Sequence, residues 1–154
     1  MFALAVKMAD KGHLSGSAHP KAAQANIHNL LSLALGDAPI PMVGRRSGVG
    51  ARVYVMHGAG VSVAFALVLE DVTGSWAERV ELTLVAVLPE WQGQGLGRLL
   101  LGRLVRFLPA RCIYARCRPA SVVMKHLLEQ AGFEQVAQGD GAVTYEIDKS
   151  KRRV

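Results

Sequence analysis

The sequence predicts an α/β domain with a mixed, mostly antiparallel central sheet flanked by helices on both faces. Three observations carry this reading. Val-rich runs between residues 51 and 87 are broken only by short turns, two Leu-rich runs with helical spacing follow, and each of those leads into a further strand-like run. A chain of 154 residues, half of them hydrophobic, supplies one well-filled core, so a single domain over 1–154 is expected.

The first 50 residues differ in texture from the rest. "FALAVKM" (2–8) reads as a short strand, followed by the polar "ADKGHLSGSAHP". Residues 20–36 place Pro20 in a first helical turn and Gly36 at a stop, with Ile27, Leu30, Leu31, Ala34 and Leu35 at helical spacing. Residues 37–50, rich in Pro and Gly, form a loop carrying Arg45 and Arg46.

From Ala51 the texture is that of a sheet. "ARVYVM" (51–56) and "VSVAFALVL" (61–69) flank "HGAG" as a hairpin, and a turn over 70–78 leads to a third strand, "RVELTLVAV" (79–87). Short connections make these three an antiparallel meander. From Gly95 to Phe107, Leu96, Leu100, Leu104 and Phe107 share one helical stripe that Pro109 ends. "RCIYARC" (111–117) is then a strand reached by a crossover. Residues 119–132 form a second helix whose apolar face is Val123, Met124, Leu127, Leu128 and Ala131. Residues 133–147 close the core as a hairpin around Gly139-Asp140-Gly141, ahead of the basic tail "DKSKRRV" (148–154).

The net charge of +6 favours an anionic partner: a phosphate-bearing ligand, nucleic acid or an acidic protein. Lys and Arg do not cluster with aromatics as a nucleic-acid surface would, which ranks nucleic acid lower without excluding it. Cys112 and Cys117 are spaced as neither a redox pair nor a zinc half-site, and the five histidines lack metal-ligand spacing, so no metal is expected. No apolar run approaches the roughly 20 residues that span a bilayer. "MFALAV" is too short for a signal-peptide core before Lys7, so a cytoplasmic, reduced setting without a membrane partner is expected, with a homodimer left open.

The chemistry concentrates in "LPEWQGQGLGRLL" (88–100). Counting G-x-G-x-x-G from Gly93 puts Arg98 where the third glycine belongs, and no lysine follows these glycines as a nucleoside-triphosphate loop requires. Both common phosphate loops are excluded. What remains is a strand ending at Val87, a glycine turn and a helix beginning near Gly95, whose orphan N–H groups sit at a positive helix end beside Arg98. On spacing alone, an anion site and a tight strand-to-helix turn are equally served.

The run from Val85 to Gly97 resembles motif A of the GNAT superfamily of acyl-CoA-dependent N-acyltransferases, whose (Arg or Gln)-x-x-Gly-x-(Gly or Ala) signature is met by Gln92, Gly95 and Gly97. A helix ending in "LLEQAGFEQV", one helix and one strand later, is similar to the family's motif B, and the likeness covers about 51–147. The resemblance implies acetyl-CoA as acetyl donor and a primary amine as acceptor, joined by direct attack in a ternary complex. It implies that Val85 and Val87 face the pantetheine arm and that Gln92, Gly93, Gln94, Gly95, Leu96, Gly97 and Arg98 surround the pyrophosphate. Ser121 stands where the family often has an asparagine at the start of the second helix, and it completes the expected coenzyme contacts.

Transfer needs a base for the ammonium and a donor for the thioester oxygen, and a main-chain N–H near Val85 is the natural donor. Glu81 is the candidate base, six residues before Val87, where some family members carry a glutamate. Strict alternation puts Glu81, Thr83, Val85 and Val87 on one face, so carboxylate and thioester share one cleft. The competing reading is a surface glutamate paired with Arg79 or Arg52. The general acid departs from the family pattern: the tyrosine that many members place four residues before the closing Gly-Phe is Leu128 here. That substitution favours the alternatives of a weak or inactive acyl-CoA-binding module. A transferase acting on a protein or aminoacyl-tRNA amine also stays open.

Overall fold

A computed structural model describes residues 50–70, 75–139 and 141–152. The expected strand at 2–8 and helix at 20–36 lie outside these residues, as do nearly all of the 37–50 loop and the centre of the last turn, Asp140. β1 (Ala51–Gly58) and β2 (Val61–Glu70) form the first hairpin. Ala59 and Gly60, with φ of 50° and 80°, take the left-handed pair of conformations that a type I′ turn demands. β3 (Arg79–Val87) lies antiparallel to β2.

A 3₁₀ turn (Pro89–Trp91) leads to α1 (Leu96–Phe107), which crosses over to β4 (Cys112–Cys117), parallel to β3. α2 (Val122–Gln130), β5 (Glu134–Gly139) and β6 (Ala142–Asp148) complete the chain. β6 inserts between β4 and β5, so the sheet runs β1-β2-β3-β4-β6-β5 with β3–β4 as its one parallel pair among the described residues. The mixed, mostly antiparallel sheet is the one the sequence predicts.

α1 and α2 pack on one face of this sheet. Leu100, Leu101, Leu104 and Leu128 meet Val80, Leu82, Ile113, Ala115 and Ile147 there. On the opposite face Phe65, Leu67, Leu84 and Ala86 are buried as well, which is why β2 and the end of β3 read as near-continuous apolar runs. Two helical positions depart from expectation. Phe107 ends α1 with 72% of its surface exposed, because the chain turns extended at Leu108 and drops that leucine into the core instead. Val123 is 74% exposed in the first turn of α2, so the apolar face of that helix rests on its later residues.

The register carries the decisive irregularity. Leu67 pairs with Leu84 while its neighbour Val68 pairs with Leu82, so Thr83 is an extra residue in β3, a β-bulge. An extra residue inverts the side-chain alternation beyond it. Glu81 therefore shares a face with Leu84 and Ala86, and Val85 and Val87 lie on the opposite, helix-covered face. The expected single face for Glu81, Val85 and Val87 is corrected by this bulge.

The packing sets a contrast that chemical denaturation can read. Leu104→Ala empties a buried site and is expected to cost about 2–5 kcal/mol, whereas Phe107→Ala, at the exposed helix end, stays within about 0.5 kcal/mol.

Candidate active site

The parallel ladder of β3 and β4 comprises only Arg79–Cys112, Val80–Ile113 and Glu81–Tyr114. Beyond Glu81 the strands part, and a cleft of about 650 Å³ opens between them. The Leu88 N–H bonds the Val63 carbonyl of β2 at 2.9 Å, so, by alternation along the strand, the peptide groups of Val85 and Val87 point away from β2 and into the gap. No strand among the described residues pairs with them there. The splayed sheet thus offers, inside a pocket, a main-chain edge without a strand partner among the described residues.

The glycine turn forms the end wall of that cleft. Gly93 and Gly95 both adopt φ of 77°, open to any residue only at a backbone cost, and Gly95 is the N-cap of α1. Gly97 serves packing: a Cβ there would lie 3.3 Å from Leu127 Cδ1 and 3.8 Å from Val87 Cγ2, where α1, α2 and the end of β3 converge. Gln92 Nε2 donates to the Val87 carbonyl at 2.9 Å and ties the turn to the strand end. The first N–H groups of α1, unpaired within the helix, open at this wall beside the exposed Arg98.

Val85, Val87, Gln92, Gly93, Gly95, Leu96, Gly97, Arg98 and Ser121 all line this one cleft. Gln94 does not; its side-chain amide turns back to the Glu90 carbonyl at 3.4 Å. The far wall comes from α2 and the segment before it, where Ala120, Met124 and Leu127 join the buried Ser121. Sequence reasoning missed these apolar contacts, though the helical spacing of Met124 and Leu127 was available to find them.

Glu81 stands at the apex of the gap, outside the residues that line the cleft. It is only 8% exposed and carries a dense set of donors. Arg116 reaches Oε1 through Nε at 3.1 Å and Nη2 at 2.9 Å, with Nη2 also 3.1 Å from Oε2. The Tyr114 hydroxyl donates to Oε2 at 3.2 Å. The pairing with Arg79 or Arg52 of the competing reading gives way to Arg116, because Tyr114 and Arg116 project from β4 on the Glu81 face. Arg79 instead bonds Glu146 at 3.0 Å and stacks over the Tyr114 ring, and Arg52 lies over Trp76. A charge-assisted network thus holds Glu81.

On α2, Leu128 is wholly buried in the core, so the position of the family tyrosine faces away from the cleft that Leu127 and Met124 line. His126 is on the polar side with its Nε2 2.9 Å from Gln130 Nε2. Cys117 lines the cleft, and burial pushes its thiol up to about 11. Burial, reinforced by Glu146, pushes Cys112 up to about 11 as well. Among the described residues no group of His, Cys, Asp and Glu is placed to hold a metal ion, and no helix is long and apolar enough to cross a membrane.

A splayed parallel pair, a glycine turn at a helix N-terminus and a carboxylate at the apex thus meet at one cleft. The sequence matches the acetyltransferase (GNAT) family over residues 45–133, and the chain belongs to that family. No curated protein sequence matches it. Solved structures share the fold: a GNAT-family protein from Desulfovibrio desulfuricans is 19% identical, covering 96% of this chain and 92% of its own, with a TM-score of 0.62. A Bacillus subtilis acetyltransferase in complex with CoA is 18% identical over 64% of this chain and 76% of its own, with a TM-score of 0.55. A GNAT-family acetyltransferase from Elizabethkingia anophelis with acetyl-CoA bound is 14% identical over 64% and 76%, with a TM-score of 0.52.

Three outcomes follow for the turn and the thiols. Gly95→Ala is expected to cost about 1–2 kcal/mol in thermal or denaturant unfolding through its left-handed φ, since its Cβ would meet no neighbour. Cys117, raised from its ordinary 9.0 to about 11, is expected to react with a thiol reagent near pH 7.5 about a hundredfold more slowly than a free cysteine. Because the folded state holds these thiol protons more tightly than the unfolded chain, their contribution to stability is intact below pH 9.0 and lost as pH rises through about 11. Thermal unfolding across that range reads it, and Cys117→Ala should flatten the decline.

Proposed function

We propose that this chain moves the acetyl group of acetyl-CoA to a primary amine by direct attack in a ternary complex. The gap between β3 and β4 carries the reading, because main-chain edge, glycine turn and cleft run together as one channel of a size suited to a cofactor arm. In this reading the pantetheine arm adds to the edge of β3 through the Val85 carbonyl and the Val87 N–H, the Val87 carbonyl being held by Gln92. The pyrophosphate meets the N–H groups from Gln92 to Arg98, with Gln94 contributing only main chain, and Ser121 contacts the arm from the opposite wall. The net charge of +6 suits such a ligand.

The bulge sets where the amine arrives. Val85 and Val87 lie on the helix-covered face and Glu81 on the other, so a thioester threaded through the gap presents its carbonyl between them. The acceptor approaches from the Glu81 side. Its ammonium proton passes to Glu81, and Oε2, held at 3.1 and 3.2 Å, is the oxygen more readily freed from Arg116 and Tyr114. The neutral nitrogen then attacks the carbonyl carbon, the Val85 N–H receives the developing negative charge, and the C–S bond breaks. With Leu128 buried, the second proton, shed by the nitrogen once it has bonded to carbon, passes through water to the departing thiolate.

Glu81→Gln keeps shape and removes the base, and is expected to lower the rate of thiol release from acetyl-CoA with an amine panel by about 10²–10⁴-fold. Acetyl-CoA should still raise the melting temperature of this variant, by mass action on the folded state. An unchanged rate contradicts the role of Glu81. The second reading, a module that binds acyl-CoA without transferring the acyl group, is favoured by Leu128 and by the tethered carboxylate; equal, background-level thiol release from wild type and variant, with stabilisation by acetyl-CoA intact, is its signature.

A further inference from the structure

The bulge leaves one polar group unexplained. Thr83 Oγ1 is buried without a hydrogen-bond partner among the described residues, and Thr83 lines the cleft at the point where β3 and β4 part. A buried hydroxyl without a partner is destabilising, because it gives up its bonds to water and gains none. Such a group persists where a ligand supplies the missing bond. Its neighbours on the strand are Glu81, two residues before, and Val85, two residues after, the groups read above as base and oxyanion donor.

Resting on that coenzyme reading, we propose that the Thr83 hydroxyl is a second donor to the acetyl thioester carbonyl, acting with the Val85 N–H as a two-donor oxyanion site. The bulge is what allows this. In a regular strand a residue between Leu82 and Leu84 would have a cross-strand partner on β2, and its side chain would join one of the packed faces. As the extra residue, Thr83 has none and sits at the strand parting. When the amine nitrogen bonds to the carbonyl carbon, the C=O π pair moves onto oxygen, and the hydroxyl hydrogen bond to that oxygen shortens and strengthens. The hydroxyl keeps its proton throughout. The oxygen lone pair then re-forms C=O as the C–S bond breaks and its electron pair leaves on sulfur, with one ammonium proton on Glu81 and the second passing from nitrogen through water to sulfur.

Thr83→Val removes the hydroxyl at constant shape, and Thr83→Ser keeps it. The direct probe is the infrared stretch of bound [1-¹³C]acetyl-CoA, which needs no acceptor. Wild type and Thr83→Ser should share a lowered carbonyl frequency, and Thr83→Val should shift it upward toward that of free acetyl-CoA. With the amine panel, kcat should fall about a hundredfold in Thr83→Val, with KM for acetyl-CoA nearly unchanged and with recovery in Thr83→Ser. The melting temperature of Thr83→Val should not fall, which a merely structural threonine would not allow. If valine does not fold there, Thr83→Ala carries the same test. Equal carbonyl frequencies with and without the hydroxyl, or kcat unchanged within a factor of two, overturn the assignment. Failure of wild type to bind acetyl-CoA overturns the coenzyme reading itself, a distinct result seen before any variant is made.

Discussion

The parallel ladder between β3 and β4 lasts three residue pairs and stops at Glu81 and Tyr114, where Arg116 closes a bidentate ion pair on the carboxylate. A sheet that parts must leave peptide groups without strand partners on both inner edges, and such groups are costly unless something else satisfies them. Here the parting falls beside a helix N-terminus and under two packed helices, so the unpaired edge of β3 lies in a cleft and not at an exposed rim. The α1 crossover is what holds this geometry. Leu100, Leu101 and Leu104 anchor the helix to the sheet, and Gly97 lets its first turn approach Val87 and Leu127.

The charged network at the apex has a double character. Its partners lie on the sheet face away from α1 and α2: Glu81, Tyr114 and Arg116, with Arg79 and Glu146 one step further. Removing Arg116 leaves the buried Glu81 carboxylate short of its main partner, so the network fixes the end of the ladder as well as the carboxylate. Arg116 keeps about half its side chain exposed, so it can follow an incoming ligand while Glu81 stays in place. Family membership rests on the match over residues 45–133; at identities below 20% the solved structures add the shared fold.

Legibility in the sequence divides by range. The glycine turn and the start of α1 were readable because their causes are local: two glycines at positive φ and a leucine stripe. The meander, crossover and final hairpin were readable from short connections and apolar runs. The bulge at Thr83 was not, because the alternation of "RVELTLVAV" runs unbroken from Arg79 through Thr83 to Leu84 and only pairing with β2 reveals the extra residue. The face of Glu81 was misread for that reason alone. Its partner Arg116 lies 35 residues away and is brought near by parallel register, which sequence spacing does not encode; the alternation of "RCIYARC" could at most have put Tyr114 and Arg116 on one face.

The central claim is that the free edge of β3 in the gap is where an acyl-coenzyme arm binds. Amide hydrogen exchange at Val85 and Val87, followed with and without acetyl-CoA, tests it most directly. A pantetheine arm added along that edge slows exchange at one or both amides by about tenfold or more, while amides of the exposed strand β5 keep their rates. Unchanged exchange at both valines, under conditions where acetyl-CoA raises the melting temperature, would place the coenzyme elsewhere and contradict the claim.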